Sequence, residues 1–220
     1  MTTTTPSTTE LVFILDRSGS MYGLESDTIG GFNRIIAEQR KLPGTVHVTT
    51  VLFDDVVETL HDHVDLATVK PLTEEEYFVR GCTALLDAIG MTVKQVNARQ
   101  KKDPSGRPDH TMFVITTDGL ENASGTYDFK TVRKMVEKRQ KKNSWEFMFL
   151  GANMDAIKTA AGIGISAKCA ARYMPDSQGT EVLFSAVSQA AACMRMDECM
   201  DGALDSVRAD YEKRGKEQSA

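Results

Sequence analysis

The sequence predicts an α/β fold: three layers, with one mostly parallel central sheet of about six strands, helices on both faces and one antiparallel edge strand. Three observations carry this expectation. The runs Leu11–Leu15 and Met112–Ile115 are continuously apolar, and Trp145–Leu150 nearly so, as strands buried on both faces are. Stretches with apolar residues at helical spacing separate those runs. The link Asp54-Asp55 between two strand-like segments is so short that it joins antiparallel neighbours.

Each element follows in order. Residues 1–9 are Thr-rich and uncharged, and read as a flexible N-terminal arm. Leu11–Leu15 is the first strand, closed by Asp16 and a turn of small residues. Ile29, Phe32, Ile35 and Ile36 mark a helix, with Ser26 or Asp27 as its N-cap and Pro43-Gly44 beyond its end. Thr45–Phe53 is rich in β-branched residues and reads as a strand, followed by another near Val56–Leu60. Residues 64–80 read as irregular. Leu85, Ile89, Val93 and Val96 mark a second helix, and Lys101–Asp109 a loop with Pro104, Gly106 and Pro108. Phe129, Val132 and Val136 mark a third helix, capped by Asp128. After the strand at Trp145–Leu150 come a short helix over Asn153–Ala161, an edge strand within 168–173 and a long helix from Ser177. One domain is expected over 10–200, with 201–220 as a helix end and frayed tail.

Composition narrows the function. The chain has 220 residues, 41% hydrophobic and 26% charged, with 26 Lys+Arg against 31 Asp+Glu. That excludes disorder and a disulfide scaffold for the whole chain. No apolar run approaches the ~20 residues that cross a bilayer, so no membrane partner is expected. Met1-Thr-Thr-Thr-Thr-Pro6 shows no secretory pattern, and Cys82, Cys169, Cys193 and Cys199 share no C-x-x-C spacing. Reduced thiols and a cytoplasmic location are therefore expected. A net charge of −5 disfavours nucleic acid. Charge is unevenly placed: Asp54–Glu76 is strongly acidic. Lys130–Lys142 carries seven bases and one acid, and reads as a solvated helix face.

In a mostly parallel sheet, ligands bind outside the carboxyl ends of the strands. Directly after the first strand stands Asp16-x-Ser18-x-Ser20. Thr117-Asp118-Gly119 follows the strand at Met112–Ile115, and Gly81-Cys82-Thr83 precedes the second helix. These segments can meet at one sheet edge, joining two carboxylates to three hydroxyls. An all-oxygen set suits a hard cation, Mg2+ or Ca2+, or else Mn2+. Neutral hydroxyl ligands leave the charge of an ion largely uncancelled, which favours capture of a partner's acidic group.

These residues resemble the von Willebrand factor A domain with its metal-ion-dependent adhesion site. The resemblance spans about residues 10–195, and Asp-Arg-Ser-Gly-Ser-Met is similar to the stand-alone prokaryotic members. It implies a Rossmann-like domain in which Ser18, Ser20 and Thr83 ligate Mg2+, while Asp16 and Asp118 contact it directly or through water. It also implies an antiparallel edge strand. The function implied is capture of an Asp or Glu carboxylate of a protein partner, with a chaperone-like ATPase as one partner class.

Other readings are weaker. Asp16 at a strand tip could serve a phosphatase-like, metal-dependent hydrolase as nucleophile. However, Ser18 stands where a haloacid-dehalogenase-type phosphatase would carry a second Asp, and no P-loop is present. No enzyme is expected. His61-Asp62-His63 lacks a visible third ligand and reads as exposed edge strand. Cys82 reads as a small core residue, and Cys193, Cys199 and the nearby methionines as core packing or a partner-facing surface. Asp87 either supports the Thr83 loop or faces solvent, and Glu121-Asn122 is either a rim or a turn.

Overall fold

The computed structural model describes residues 7–152, 155–198 and 200–217. Strands β1 (Thr8–Asp16), β2 (Thr45–Phe53), β3 (Val57–Asp65), β4 (His110–Thr117), β5 (Glu146–Gly151) and β6 (Ala170–Arg172) form one sheet in the order β3-β2-β1-β4-β5-β6. Among the described residues, only β3 runs antiparallel to its neighbour, across the hairpin predicted at Asp54-Asp55. Six α-helices among the described residues flank the sheet: α1 (Glu25–Gln39), α2 (Leu85–Lys102), α3 (Phe129–Asn143), α4 (Ala156–Gly162), α5 (Ser177–Arg195) and α6 (Asp205–Glu217). Among the described residues, no helix is long and apolar enough to cross a membrane.

The unbroken apolar run of β1 has its physical reason here. Leu11, Phe13 and Leu15 pack in one core cluster with Phe32 and Ile35 of α1 and Leu183 and Val187 of α5. Val12 and Ile14 pack in the other, with Leu85 and Ile89 of α2 and Val132 and Val136 of α3. The two-residue period of a strand sends alternate side chains to opposite layers. Each such burial contributes about 1.5–3 kcal/mol.

The chain leaves toward β2 on one side of β1 and returns to β4 on the other. The order therefore reverses between β1 and β4, and a crevice opens at their carboxyl ends.

Several boundaries differ from expectation. Strand β1 starts at Thr8, inside the expected arm: Thr8 pairs with Thr45 and its main-chain N–H donates to Asp109 Oδ2 at 2.8 Å. Residues 1–6 lie outside the described residues. Helix α1 begins at Glu25 with Leu24 at the N-cap position, so Ser26 and Asp27 sit inside its first turn. Strand β3 continues to Asp65 because its polar residues still bond β2 along the edge. The start of the helix expected from Asn153 lies outside the described residues, and α4 begins at Ala156 under an Asp155 cap.

The largest correction concerns the tail. Residues 205–217 form α6, docked rather than frayed. Leu204 and Val207 join the α1/α5 core cluster, and Arg208 Nη2 donates to the carbonyls of Ala167, Lys168 and Ala170. Two buried apolar side chains and the guanidiniums of Arg208 and Arg214, the latter paired with Asp176, hold a segment whose composition is otherwise polar.

Candidate functional site

Adjacent strands set the floor of the site. Leu15 pairs with Thr116, which places Asp16 beside Thr117. Asp16 is fully buried. Its Oδ1 accepts the Ser18 N–H at 2.7 Å, and its Oδ2 accepts the Thr117 hydroxyl at 2.6 Å. Tyr77 donates its hydroxyl to the Asp16 carbonyl. Burial pushes the Asp16 carboxyl above its ordinary range, although hydrogen bonds from Thr117 and Ser18 pull the other way. Among the described residues, no Lys, Arg or His forms an ion pair with it.

The hydroxyls gather above it. Beyond Ser18 the chain makes a 3-10 turn over Gly19–Met21. Ser18 Oγ lies 3.1 Å from Ser20 Oγ, and the Thr83 hydroxyl donates to Ser18 Oγ at 3.0 Å. Asp118 follows β4 and is 6% exposed. A Cβ on Gly119 would sit 2.6 Å from Thr83 Oγ1 and 2.8 Å from Ser20 Oγ, so only glycine lets this backbone lie against the hydroxyls. Burial raises the Tyr173 phenol, and the charges of both Asp118 and Asp16 raise it further. The five residues singled out in the sequence thus meet at the crevice between β1 and β4.

Neighbouring loops lock this arrangement. The Asp87 carboxylate accepts the main-chain N–H groups of Gly125, Thr126 and Tyr127. In return, Glu121 accepts the N–H of Leu86 at 2.9 Å, and Asn122 Oδ1 accepts that of Thr83 at 2.9 Å. Asp87 therefore supports the neighbouring loop rather than facing solvent. Glu121 and Asn122 lie in the loop after β4 and satisfy the amide groups of Leu86 and Thr83 at the α2 end.

No protein-family model matches the sequence, and no curated protein matches it. Solved structures do. The von Willebrand factor domain of the type V pili tip protein Mfa5 from Porphyromonas gingivalis matches at TM-score 0.60 and 10% identity, over 86% of this chain and 96% of that one. Proximal thread matrix protein 1 from the mussel byssus, solved with zinc in its metal-ion-dependent adhesion site, matches at 0.59 and 15%, over 85% and 46%. A von Willebrand factor type A protein from Catenulispora acidiphila matches at 0.57 and 15%, over 86% and 43%. This chain has the von Willebrand factor A fold. It spans less than half the length of the mussel and Catenulispora proteins.

Within this A-domain fold, the residues fit a hard divalent cation. Two buried carboxylates and three hydroxyls converge, all donors are oxygen, and Gly119 leaves room beside them. Thr117 and Gly119 were not singled out as site residues, although their adjacency to Asp118 pointed to them.

The remaining expectations divide. His61 and His63 lie on the β3 edge, stacked on Phe32 and His47 respectively. Among the described residues, no group of three or more His, Cys, Asp or Glu is placed to hold a metal. Cys82 is exposed, not a core residue, because the turn at Gly81 carries it outward. Cys193 is half-buried, and Cys199 lies outside the described residues. On α3, Lys130, Lys134, Lys138, Lys141 and Lys142 are exposed, whereas Arg139 is buried with its guanidinium 5.8 Å from the Trp145 ring.

Proposed function

We propose that the protein is a divalent-cation-dependent protein-binding module. It would hold Mg2+ through Asp16, Ser18, Ser20, Thr83 and Asp118 and capture an Asp or Glu side chain of a protein partner. One observation carries this reading: Asp16 is a fully buried carboxylate with hydroxyl and amide partners but no protein cation among the described residues. A buried charge left so is costly unless a cation arrives. When bound, the ion would supply an open position for a carboxylate oxygen. The chain's own residues do the rest. Ser18 N–H and the Thr117 hydroxyl fix the Asp16 carboxylate, and three neutral hydroxyls leave the positive charge available to a partner. The zinc-occupied adhesion site of the mussel protein and the pilus-tip role of Mfa5 support a divalent ion and a protein-interaction role.

The phosphatase reading has less support. Both Asp16 oxygens already accept hydrogen bonds, and Ser18 offers its hydroxyl where a second carboxylate would be required.

Calorimetric titration of Mg2+ into wild type, Asp16→Ala and Ser18→Ala tests the ion. Saturable binding in wild type, lost in both variants, is expected; equal affinity in all three overturns the reading. Capture of a protein from cell extract in Mg2+, its release by EDTA and its absence with Asp16→Ala test the partner.

A further inference from the structure

A further buried carboxylate anchors the two loops that carry the hydroxyls. Asp54 follows β2 and is fully buried. Its Oδ2 accepts Arg17 Nε at 2.9 Å and Arg80 Nε at 2.7 Å. Its Oδ1 accepts Val56 N–H at 2.7 Å, and its main-chain carbonyl accepts Ala84 N–H at 2.8 Å. Arg17 lies between Asp16 and Ser18, is 1% exposed, and reaches Glu58 Oε2 at 2.7 Å and the Glu76 carbonyl at 3.3 Å. Arg80 and Ala84 bracket Thr83. The Phe78 ring lies against both guanidiniums, with centroid distances of 5.5 and 5.3 Å. Two main-chain bonds, Arg80 N–H to the Arg17 carbonyl at 2.9 Å and Gly19 N–H to the Gly81 carbonyl at 3.3 Å, run between the same two loops.

We propose that Asp54 is the positioning residue of the cation site. Through Arg17 and Arg80 it holds the loop of Ser18 and Ser20 against the loop of Thr83, and so sets the 3.0 and 3.1 Å spacings of the three hydroxyls. Asp54 does not touch the ion. The proposal rests on reading the hydroxyl cluster as the cation site.

Two roles for this network give opposite signs. Asp54 and Glu58 match the charges of Arg17 and Arg80. If the network only balanced charge, removing Arg80 would relieve repulsion and tighten a cation. If it positions the hydroxyls, removing Arg80 weakens binding. Arg80 suits the test because its side chain is 44% exposed, whereas a change at buried Arg17 endangers the fold.

The experiment is calorimetric Mg2+ titration of wild type, Arg80→Met, Arg80→Lys, Asp54→Asn and Glu58→Gln, with unfolding midpoints measured in EDTA. Residues behind metal ligands typically contribute 10–100-fold to affinity, so Asp54→Asn is expected to lose about 10-fold or more. Arg80→Met is expected to lose severalfold at an unchanged midpoint, Arg80→Lys less. Glu58→Gln, whose parent bonds Arg17 and not the Thr83 loop, stays near wild type. Wild-type or tighter affinity in Arg80→Met overturns the positioning role and leaves the cation reading standing. Absence of Mg2+ binding by wild type overturns both.

Discussion

Two carboxylates on β1 occupy the same sheet face and are equally buried, yet their surroundings differ. Glu10, near the amino end, has Oε1 bonded by the Arg99 guanidinium and by the Thr49 hydroxyl at 3.0 Å, and Oε2 by Gln100 at 3.1 Å; His63 Nδ1 lies 3.5 Å away. Burial alone would raise its carboxyl, but His63, Arg99 and Gln100 outweigh it, and Glu10 is held below its ordinary range. Asp16, six positions on, has only hydroxyl and amide donors, and burial wins. The protein completes one site internally; under the proposed function, a cation from outside completes the other. A buried carboxylate is structural or functional according to who supplies its positive charge.

The sharpest way to break this contrast is to neutralise each carboxylate in EDTA and measure unfolding by denaturant. Glu10→Gln removes the buried carboxylate that Arg99, Thr49 and Gln100 share; because Arg99 is 23% exposed and keeps Asp62, the cost should be about 3 kcal/mol, at the low end for breaking a buried pair. Asp16→Asn removes a charge that no cation among the described residues offsets, so the metal-free protein should be as stable or more so. Equal losses in the two variants would erase the distinction.

Mg2+ sharpens it next. A ligand at 100 times its dissociation constant stabilises the folded state by about 2.7 kcal/mol. Wild type should gain this, Asp16→Asn nothing. Glu10→Gln, starting from a lower midpoint, should gain it in full. A gain in Asp16→Asn would place the ion elsewhere. Gly119→Ala is a smaller perturbation: its Cβ would press on the Thr83 and Ser20 hydroxyls. It should weaken Mg2+ about tenfold, or about 1.4 kcal/mol, without approaching the Glu10→Gln loss of stability.

What the sequence made legible follows the range of the forces involved. Leu11–Leu15 and Met112–Ile115 announce buried strands because burial on both faces demands apolar residues at every position. Asp16, Ser18, Ser20, Thr83 and Asp118 could be read because their elements end where the sheet topology gathers loops. The Arg17–Asp54–Arg80 network could not, since partners 37 and 26 residues apart carry no local pattern. Nor could α6, whose docking depends on Leu204, Val207 and the carbonyls that Arg208 reaches. The exchange between Asp87 and Glu121 is likewise a pairing of two loops, each of which alone looks like an ordinary turn or helix end.

The smallest expected effect is a pH dependence, and it separates the two ends of the sheet by sign. His47 is stacked on His63 at 4.0 Å; burial, with the His63 charge added, lowers its pKa below 6.5. Burial lowers His61 likewise. Below pH 6.5 the unfolded chain takes up protons that these folded imidazoles resist, so the folded state loses stability from there down through their folded values. Glu10, held low, adds a loss in the same direction below about pH 4.5. Asp16 acts oppositely. Its raised carboxyl binds a proton more readily when folded, so its cost grows as pH rises from about 3.8 through the raised value, and a bound cation removes it. In EDTA, stability measured between pH 7.5 and 5.5 should therefore slope downward toward acid (conditions chosen to straddle the imidazole range). The double variant His47→Gln, His61→Gln should flatten that slope and leave Mg2+ affinity at neutral pH untouched. A slope that survives in the double variant would assign the acid sensitivity to groups other than these two imidazoles.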